Sequence, residues 1–141
     1  NIKLSGKTAS EIKCNYVDFV QADITQQWDF TKHKFDLVTC SLILEHIENI
    51  HFAFEQANAV SKPNGFLYVG ELHPYKQYTG SKARFENGNG VFELECFVHH
   101  VSDYFEAGRK NNFECVDVRE WFDEEDFKLI PRLLTMVFKK K

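Results

Sequence analysis

The chain has 141 residues and a mass of 16.5 kDa, with 43% hydrophobic and 27% charged residues; this fits one globular domain and excludes disordered, collagen-like and coiled-coil chains. A formal charge of −4 and a pI near 5.9 offer no basic face to nucleic acid, and no apolar run approaches the roughly 18 residues of a membrane span. Aromatic residues reach 15%, with fourteen Phe, which predicts a well-filled core or a pocket with flat apolar walls.

The predicted elements alternate between strand and helix. Residues 16–20 form a short β-prone run ending at Gln21-Ala22-Asp23, and residues 35–40 form a second that continues into Leu42-Ile43-Leu44. Over 49–62 the period changes: Ile50, Ala53, Phe54, Ala57 and Val60 share one helical face, Lys62-Pro63 stops the helix, and Asn64-Gly65 turns the chain. Residues 66–70 are apolar without alternation, as in a strand covered on both faces. Ser102 followed by Asp103 reads as the N-cap and acidic first turn of a helix to about Lys110, which Asn111-Asn112 closes in a left-handed conformation. Residues 113–119 alternate as a half-buried strand whose phase slips between Cys115 and Val116, a slip that a β-bulge would absorb. Residues 133–138 form a last apolar strand. The order β, β, α, β, α, β, β predicts an α/β domain around a mixed, mostly parallel sheet.

Residues 72–97 are far longer than an ordinary connection, and long connections usually carry function. Within them Arg84-Phe85-Glu86 and residues 91–96 flank Asn87-Gly88-Asn89-Gly90, a hairpin signal; a hairpin lid over the sheet edge is expected. Cys14, Cys40, Cys96 and Cys115 form no CxxC pair and lie in or beside apolar runs, which predicts reduced thiols in a cytoplasmic protein.

The run from Phe35 to Ile47, with Cys40-Ser41-Leu42 at its centre and Glu45-His46 near its end, resembles the fourth-strand motif of class I S-adenosylmethionine-dependent methyltransferases. Ser61-Lys62-Pro63-Asn64-Gly65-Phe66-Leu67-Tyr68-Val69 resembles that family's turn into the fifth strand, with Asn64 in place of a glycine, and residues 17–24 resemble its third strand. Downstream, His73-Pro74, His99-His100 and Arg119-Glu120-Trp121-Phe122-Asp123 are similar to a bacterial small-molecule branch. The resemblance implies a Rossmann-like fold of strand order 3-2-1-4-5-7-6, S-adenosyl-L-methionine as cofactor and a small-molecule acceptor under the 72–97 excursion. It assigns Asp23 to the adenine amine, with Ile24 beside it, and the backbone of Cys40, Ser41 and Leu42 to the methionine arm. Ligands of open α/β sheets bind beyond the carboxyl ends of the strands, where these residues fall.

His46, His73 and Tyr78 are the candidate catalytic residues, and no metal ligand set is expected. Each candidate has a plainer alternative: Asp23 as a turn acid, His46 as a helix cap, His73, Tyr75 and Tyr78 as surface or packing residues. His99-His100 are expected to make structural hydrogen bonds before a helix, and Asp36 to hold a turn. The aromatic and cationic side chains of the excursion (Tyr75, Lys76, Tyr78, Lys82, Arg84, Phe85) hint at an acceptor with a flat or anionic portion.

The glycine-rich loop of the family's first motif has no counterpart here, since Gly6 stands alone in the first fifteen residues. The expectation is therefore the C-terminal part of a methyltransferase domain, from the third strand onward. Its fourth strand would be left with an open edge, filled by preceding strands or by a second copy in a homodimer. A binding or scaffold module that keeps part of the fold without catalysis is the rival reading. A metal-assisted hydrolase using His73, His99 and His100 is disfavoured, because adjacent histidines seldom share an ion and no HExxH occurs.

Overall fold

The computed structural model describes residues 19–80, 84–87, 90–93, 95–123 and 129–141. Four strands form one sheet: β1 (Phe35–Ser41), β2 (Ser61–Leu72), β5 (Phe113–Phe122) and β6 (Pro131–Lys140), in the order β1-β2-β6-β5. This is the order expected for strands four, five, seven and six of the resembling fold. The sheet is mixed. β1 and β2 pair in parallel, whereas β6 runs antiparallel to both β2 and β5, so among the described residues the mostly parallel expectation is corrected to one parallel pairing of three in this sheet. Periodicity reports burial, not strand direction, and Leu133–Phe138 is as apolar as a parallel strand would be.

α1 (Ile50–Val60) crosses between β1 and β2, with Asn49 as its N-cap accepting from the Phe52 N–H at 3.2 Å. It ends before Pro63, and Asn64 adopts φ +61° in the turn that follows. α3 (Val101–Lys110) begins two residues earlier than Ser102 suggested: His100 is the N-cap, and the Asp103 carboxylate accepts from the His100 backbone N–H at 2.8 Å. Asn112 closes it at φ +60°, as expected. The phase slip in β5 is a bulge: the register with β6 shifts between Cys115 and Asp117, leaving Val116 between them.

The long excursion carries a five-residue helix, α2 (Pro74–Tyr78), which the sequence pattern did not announce, and the expected antiparallel hairpin of β3 (Arg84–Asn87) and β4 (Gly90–Glu93). The strand expected over 16–20 lies mostly outside the described residues; Phe19 and Val20, which are described, belong to no strand. Cys14 and Lys82 also lie outside them.

α1 and α3 cover one face of the sheet. Phe54, Phe113 and Phe138 form its aromatic centre, with Phe54 edge-on to Phe138 at 5.1 Å and to Phe113 at 6.3 Å between ring centroids. Leu67, Val69, Leu134 and Met136 floor it. Gly108 lets α3 approach closely: a Cβ there would stand 2.7 Å from the Phe138 ring. Gly108→Ala is therefore expected to destabilise by about 1–3 kcal/mol in urea denaturation, even though alanine is the better helix former by about 1 kcal/mol. The opposite face carries Leu37, Phe66 and Trp121, which are 55%, 39% and 49% exposed. Among the described residues β1 ends the sheet on its outer side.

Candidate functional site

Three segments meet beyond the carboxyl ends of β1 and β2. The first is the turn after β1. Leu42, half exposed, sits at φ +51° and donates its backbone N–H to the Gly70 carbonyl at 2.8 Å, which turns the chain sharply out of the sheet. A left-handed leucine is strained, and such strain collects where a fold over-determines a functional turn. Ile43 and Leu44 then donate their N–H groups to one carboxylate oxygen of Glu71, at 3.2 and 3.1 Å, leading into a 3-10 turn over Leu44–His46.

Glu71, near the end of β2, is 1% exposed, and its other carboxylate oxygen is buried without a hydrogen-bond partner. Burial, followed by the nearby negative charge of Glu45, pushes its carboxyl above the ordinary glutamate range; the N–H bonds from Leu44 and Ile43 pull the other way but do not prevail. Burial above all, then the carboxylates of Glu71, Glu45 and Asp103, push the Tyr104 hydroxyl up. Cys40, on the last turn of β1 before this corner, is driven by burial and by Glu71 up to about 12, so it is an inert thiol and not a nucleophile. Of the predicted pair on this strand end, Cys40 is thus buried and Ser41 exposed.

The second segment is α2. His73 caps it, its Nδ1 accepting from the Tyr75 N–H at 3.1 Å, which leaves Nε2–H to donate to Glu120 at 3.0 Å. Both ring nitrogens of His73 are therefore engaged in holding α2 to β5. Gln77 reaches back to the Glu45 carboxylate at 3.4 Å, and Tyr78, at the helix end, is 55% exposed.

The third segment, 95–100, is laced to the 3-10 turn. Phe97 N–H donates to the Glu45 carbonyl at 2.7 Å, His46 Nδ1 donates to the Glu95 carbonyl at 2.9 Å, and the buried His99 donates Nε2–H to the Ile47 carbonyl at 2.7 Å. His46 also lies 3.7 Å from Cys96 Sγ and 3.8 Å from a Glu45 oxygen. His99 thus does the structural work expected of it. His100 does not stop there: its Nδ1 meets the Tyr78 hydroxyl at 2.5 Å, with ring centroids 5.5 Å apart.

Asp23 stands on a turn of its own. Its carboxylate accepts from the Thr25 hydroxyl at 2.7 Å and the Thr25 N–H at 3.0 Å, bonds that hold it ionised below the usual aspartate range. The turn docks on α1 through Trp28, whose N–H donates to Gln56 and whose indole donates to the Ile24 carbonyl. Asp36 pairs with Lys62 at 2.8 Å and ties the start of β1 to the turn after α1, a structural role as expected.

Pattern reasoning overlooked Glu71 and the partner of Tyr78. The signal for Glu71 was present: it is the lone acid in the apolar run that ends at Leu72. The meeting of Tyr78 with His100 depends on how a 22-residue separation folds, which no local pattern carries. Among the described residues no group of three or more His, Cys, Asp and Glu side chains is placed to hold a metal ion, and no helix is long and apolar enough to cross a membrane. An open groove of about 700 Å³ between α3 and β5, lined by Phe105, Arg109, Phe113 and Lys141, lies at the other end of the sheet.

The architecture, a sheet ordered β1-β2-β6-β5 with its turn, helix and excursion gathered at the carboxyl ends of β1 and β2, follows the strand order that the resemblance implied. Residues 2–69 match the methyltransferase domain family. Solved structures of S-adenosylmethionine-dependent methyltransferases share the fold. One assigned to that class from Listeria monocytogenes has a TM-score of 0.74 at 15% identity over 94% of this chain and 73% of that one. Another, from Clostridium acetobutylicum, scores 0.67 at 14% identity over 86% of this chain and 63% of that one. A third, from Mesorhizobium loti, scores 0.62 at 16% identity over 84% and 68%. A search of curated proteins finds no match. The family match spans residues 2–69, just under half of the chain, and the solved structures show that the chain has the fold of these methyltransferases.

Proposed function

We propose that the chain transfers the methyl group of S-adenosyl-L-methionine to a small-molecule acceptor, as the C-terminal part of a longer enzyme. The observation that carries this is the convergence of the Leu42 turn, α2 and segment 95–100 beyond the carboxyl ends of two parallel strands, where open α/β sheets take their ligands. The residues present fit the cofactor: Asp23 offers an ionised acceptor for an exocyclic amine, Ile24 lies beside it half-buried, and the left-handed Leu42 opens the backbone of 40–42. When bound, the cofactor supplies an activated methyl group with a neutral leaving group. The chain's own residues then orient the acceptor and exclude water.

His46 and Tyr78 are the proposed acceptor-side residues, and His73 acts by fixing α2. Among the described residues the face with Leu37 and Trp121 is uncovered and the outer edge of β1 is unpaired, which supports a preceding part of the enzyme, or a second copy of the chain, packing there. Thiols outside any disulfide at Cys40 and Cys115 support a reducing, cytoplasmic setting.

Titration of S-adenosylhomocysteine into the ¹⁵N-labelled protein tests the reading. The amides of Asp23, Ile24, Cys40, Ser41 and Leu42 are expected to shift, and those of the groove residues Phe105, Arg109 and Phe113 to stay. Shifts confined to the groove, or none at all even in a protein extended upstream, would leave only a scaffold module.

A further inference from the structure

Tyr78 and His100 are the two feet of the excursion that carries the β3–β4 hairpin, and the fold closes them into one hydrogen bond at the site's rim. Neither foot is free to wander. Tyr78 ends a helix held by the His73–Glu120 contact at 3.0 Å and by Gln77 against Glu45. His100 is the N-cap of α3, its backbone N–H given to Asp103 at 2.8 Å, and its neighbour His99 is bonded to the Ile47 carbonyl. Both rings are exposed, tilted 38° to one another, and the hydroxyl-to-Nδ1 distance is 2.5 Å. A purely structural clasp between two loops would gain little from exposed polar side chains, whereas a phenol hydrogen-bonded to an imidazole is a device for moving a proton.

We propose that Tyr78 and His100 form a proton relay for the acceptor, with Tyr78 as the catalytic residue and His100 as the group that positions and drains it. This rests on the methyl-transfer reading above. In the step, the acceptor's X–H bond breaks as its X–CH₃ bond forms, and the methyl–sulfur bond breaks with its electron pair left on the sulfur as a neutral thioether. The acceptor's proton passes to the Tyr78 oxygen while the Tyr78 proton passes to His100 Nδ1. The positive charge thus moves from the sulfonium to the imidazolium, which loses a proton from Nε2 to water. The acceptor class follows: the atom methylated carries a proton, as in a phenol, an alcohol or an amine, and a thioether or a tertiary amine would have no use for the relay.

The relay requires that Tyr78 donate and His100 Nδ1 accept, so neutral His100 carries its proton on Nε2. Long-range ¹H–¹⁵N spectra of the imidazole read this directly and need neither cofactor nor acceptor. The expected pattern is a bare Nδ1 in the wild type that relaxes toward a tautomer mixture in Tyr78→Phe. A proton on His100 Nδ1, or a pattern that Tyr78→Phe does not move, overturns the proposal.

A second measurement follows tritium from methyl-labelled S-adenosylmethionine into a deproteinised small-molecule cell extract, using the protein extended upstream. Tyr78→Phe and His100→Asn should each slow label transfer about a hundredfold while S-adenosylhomocysteine affinity stays within about twofold. Undiminished transfer by both variants overturns the relay and leaves methyl transfer standing. Failure of the wild type to bind S-adenosylhomocysteine or to transfer label overturns the underlying reading, and the relay with it.

Discussion

Phe54→Ala should lower the unfolding free energy by about 3–5 kcal/mol, a large share of the roughly 5–15 kcal/mol that holds a domain together. Phe54 is 1% exposed and stands edge-on to both Phe113 and Phe138, so it is the point where α1 meets β5 and β6. Truncation leaves a cavity bounded by two rings that are themselves fixed by the sheet register, with Phe138 opposite Leu67 and Cys115. Neighbours so constrained cannot collapse into the space, which places the cost at the upper end of its class. Urea denaturation checks it through a shifted midpoint at unchanged slope; a loss near that of an exposed phenylalanine would show that the described core is wrongly assembled.

The second large effect is at Glu71. Glu71→Ala strips the acceptor from two backbone N–H groups, those of Ile43 and Leu44, and is expected to cost about 3 kcal/mol or more because unpaired buried donors are expensive. Glu71→Gln keeps a carbonyl oxygen in their reach and should cost far less. The pH dependence separates the two states of the acid. In the unfolded chain the carboxyl titrates near its ordinary value of 4.5, and in the folded protein burial first, then Glu45, raise it. Below 4.5 both states hold the proton and Glu71 adds no slope. As pH rises past that value the unfolded state releases its proton first, so the stability that Glu71 contributes is lost progressively until the folded group also ionises. Wild type should therefore lose stability relative to Glu71→Gln as pH climbs from 4.5 through the folded value, and hold a constant difference beyond it. A parallel pair of stability curves would mean that folding leaves the Glu71 carboxyl unshifted and would contradict its burial as an acid.

How much of this was legible in the residues depends on range. Short-range features were readable. The α1 face repeats at helical spacing, the slip between Cys115 and Val116 marks the bulge, and Asn112 adopts the left-handed closure that its position called for. The hairpin of β3 and β4 formed between the residues that signal it. What depends on distant partners was not readable. The antiparallel run of β6 leaves no local trace, because an apolar strand between two others looks alike in either direction. The cap of α3 fell on His100 because Asp103 reaches back three residues, and histidine is not among the residues that usually announce a cap. α2 is too short for a period, and only its Pro74 hinted at a first turn.

At the site the same division holds. The resemblance pointed to the Cys40–Leu42 corner, and the structure puts there a left-handed Leu42 braced by Glu71 and by the Gly70 carbonyl. It pointed to His73 as a reacting group, but both of that ring's nitrogens are committed, to Tyr75 and to Glu120. Histidine chemistry is decided by the second nitrogen, and the second nitrogen's partner lies 47 residues away.

Whether the corner after β1, with Asp23, takes the cofactor is read by calorimetric titration of S-adenosylhomocysteine into the chain and into the longer enzyme proposed above. Saturable binding of one molecule per chain is expected, weakened about tenfold by Asp23→Asn, since the ionised carboxylate would lose its charge-assisted bond to the adenine amine. Absence of binding, or binding indifferent to Asp23 and to the 40–42 backbone, would contradict it.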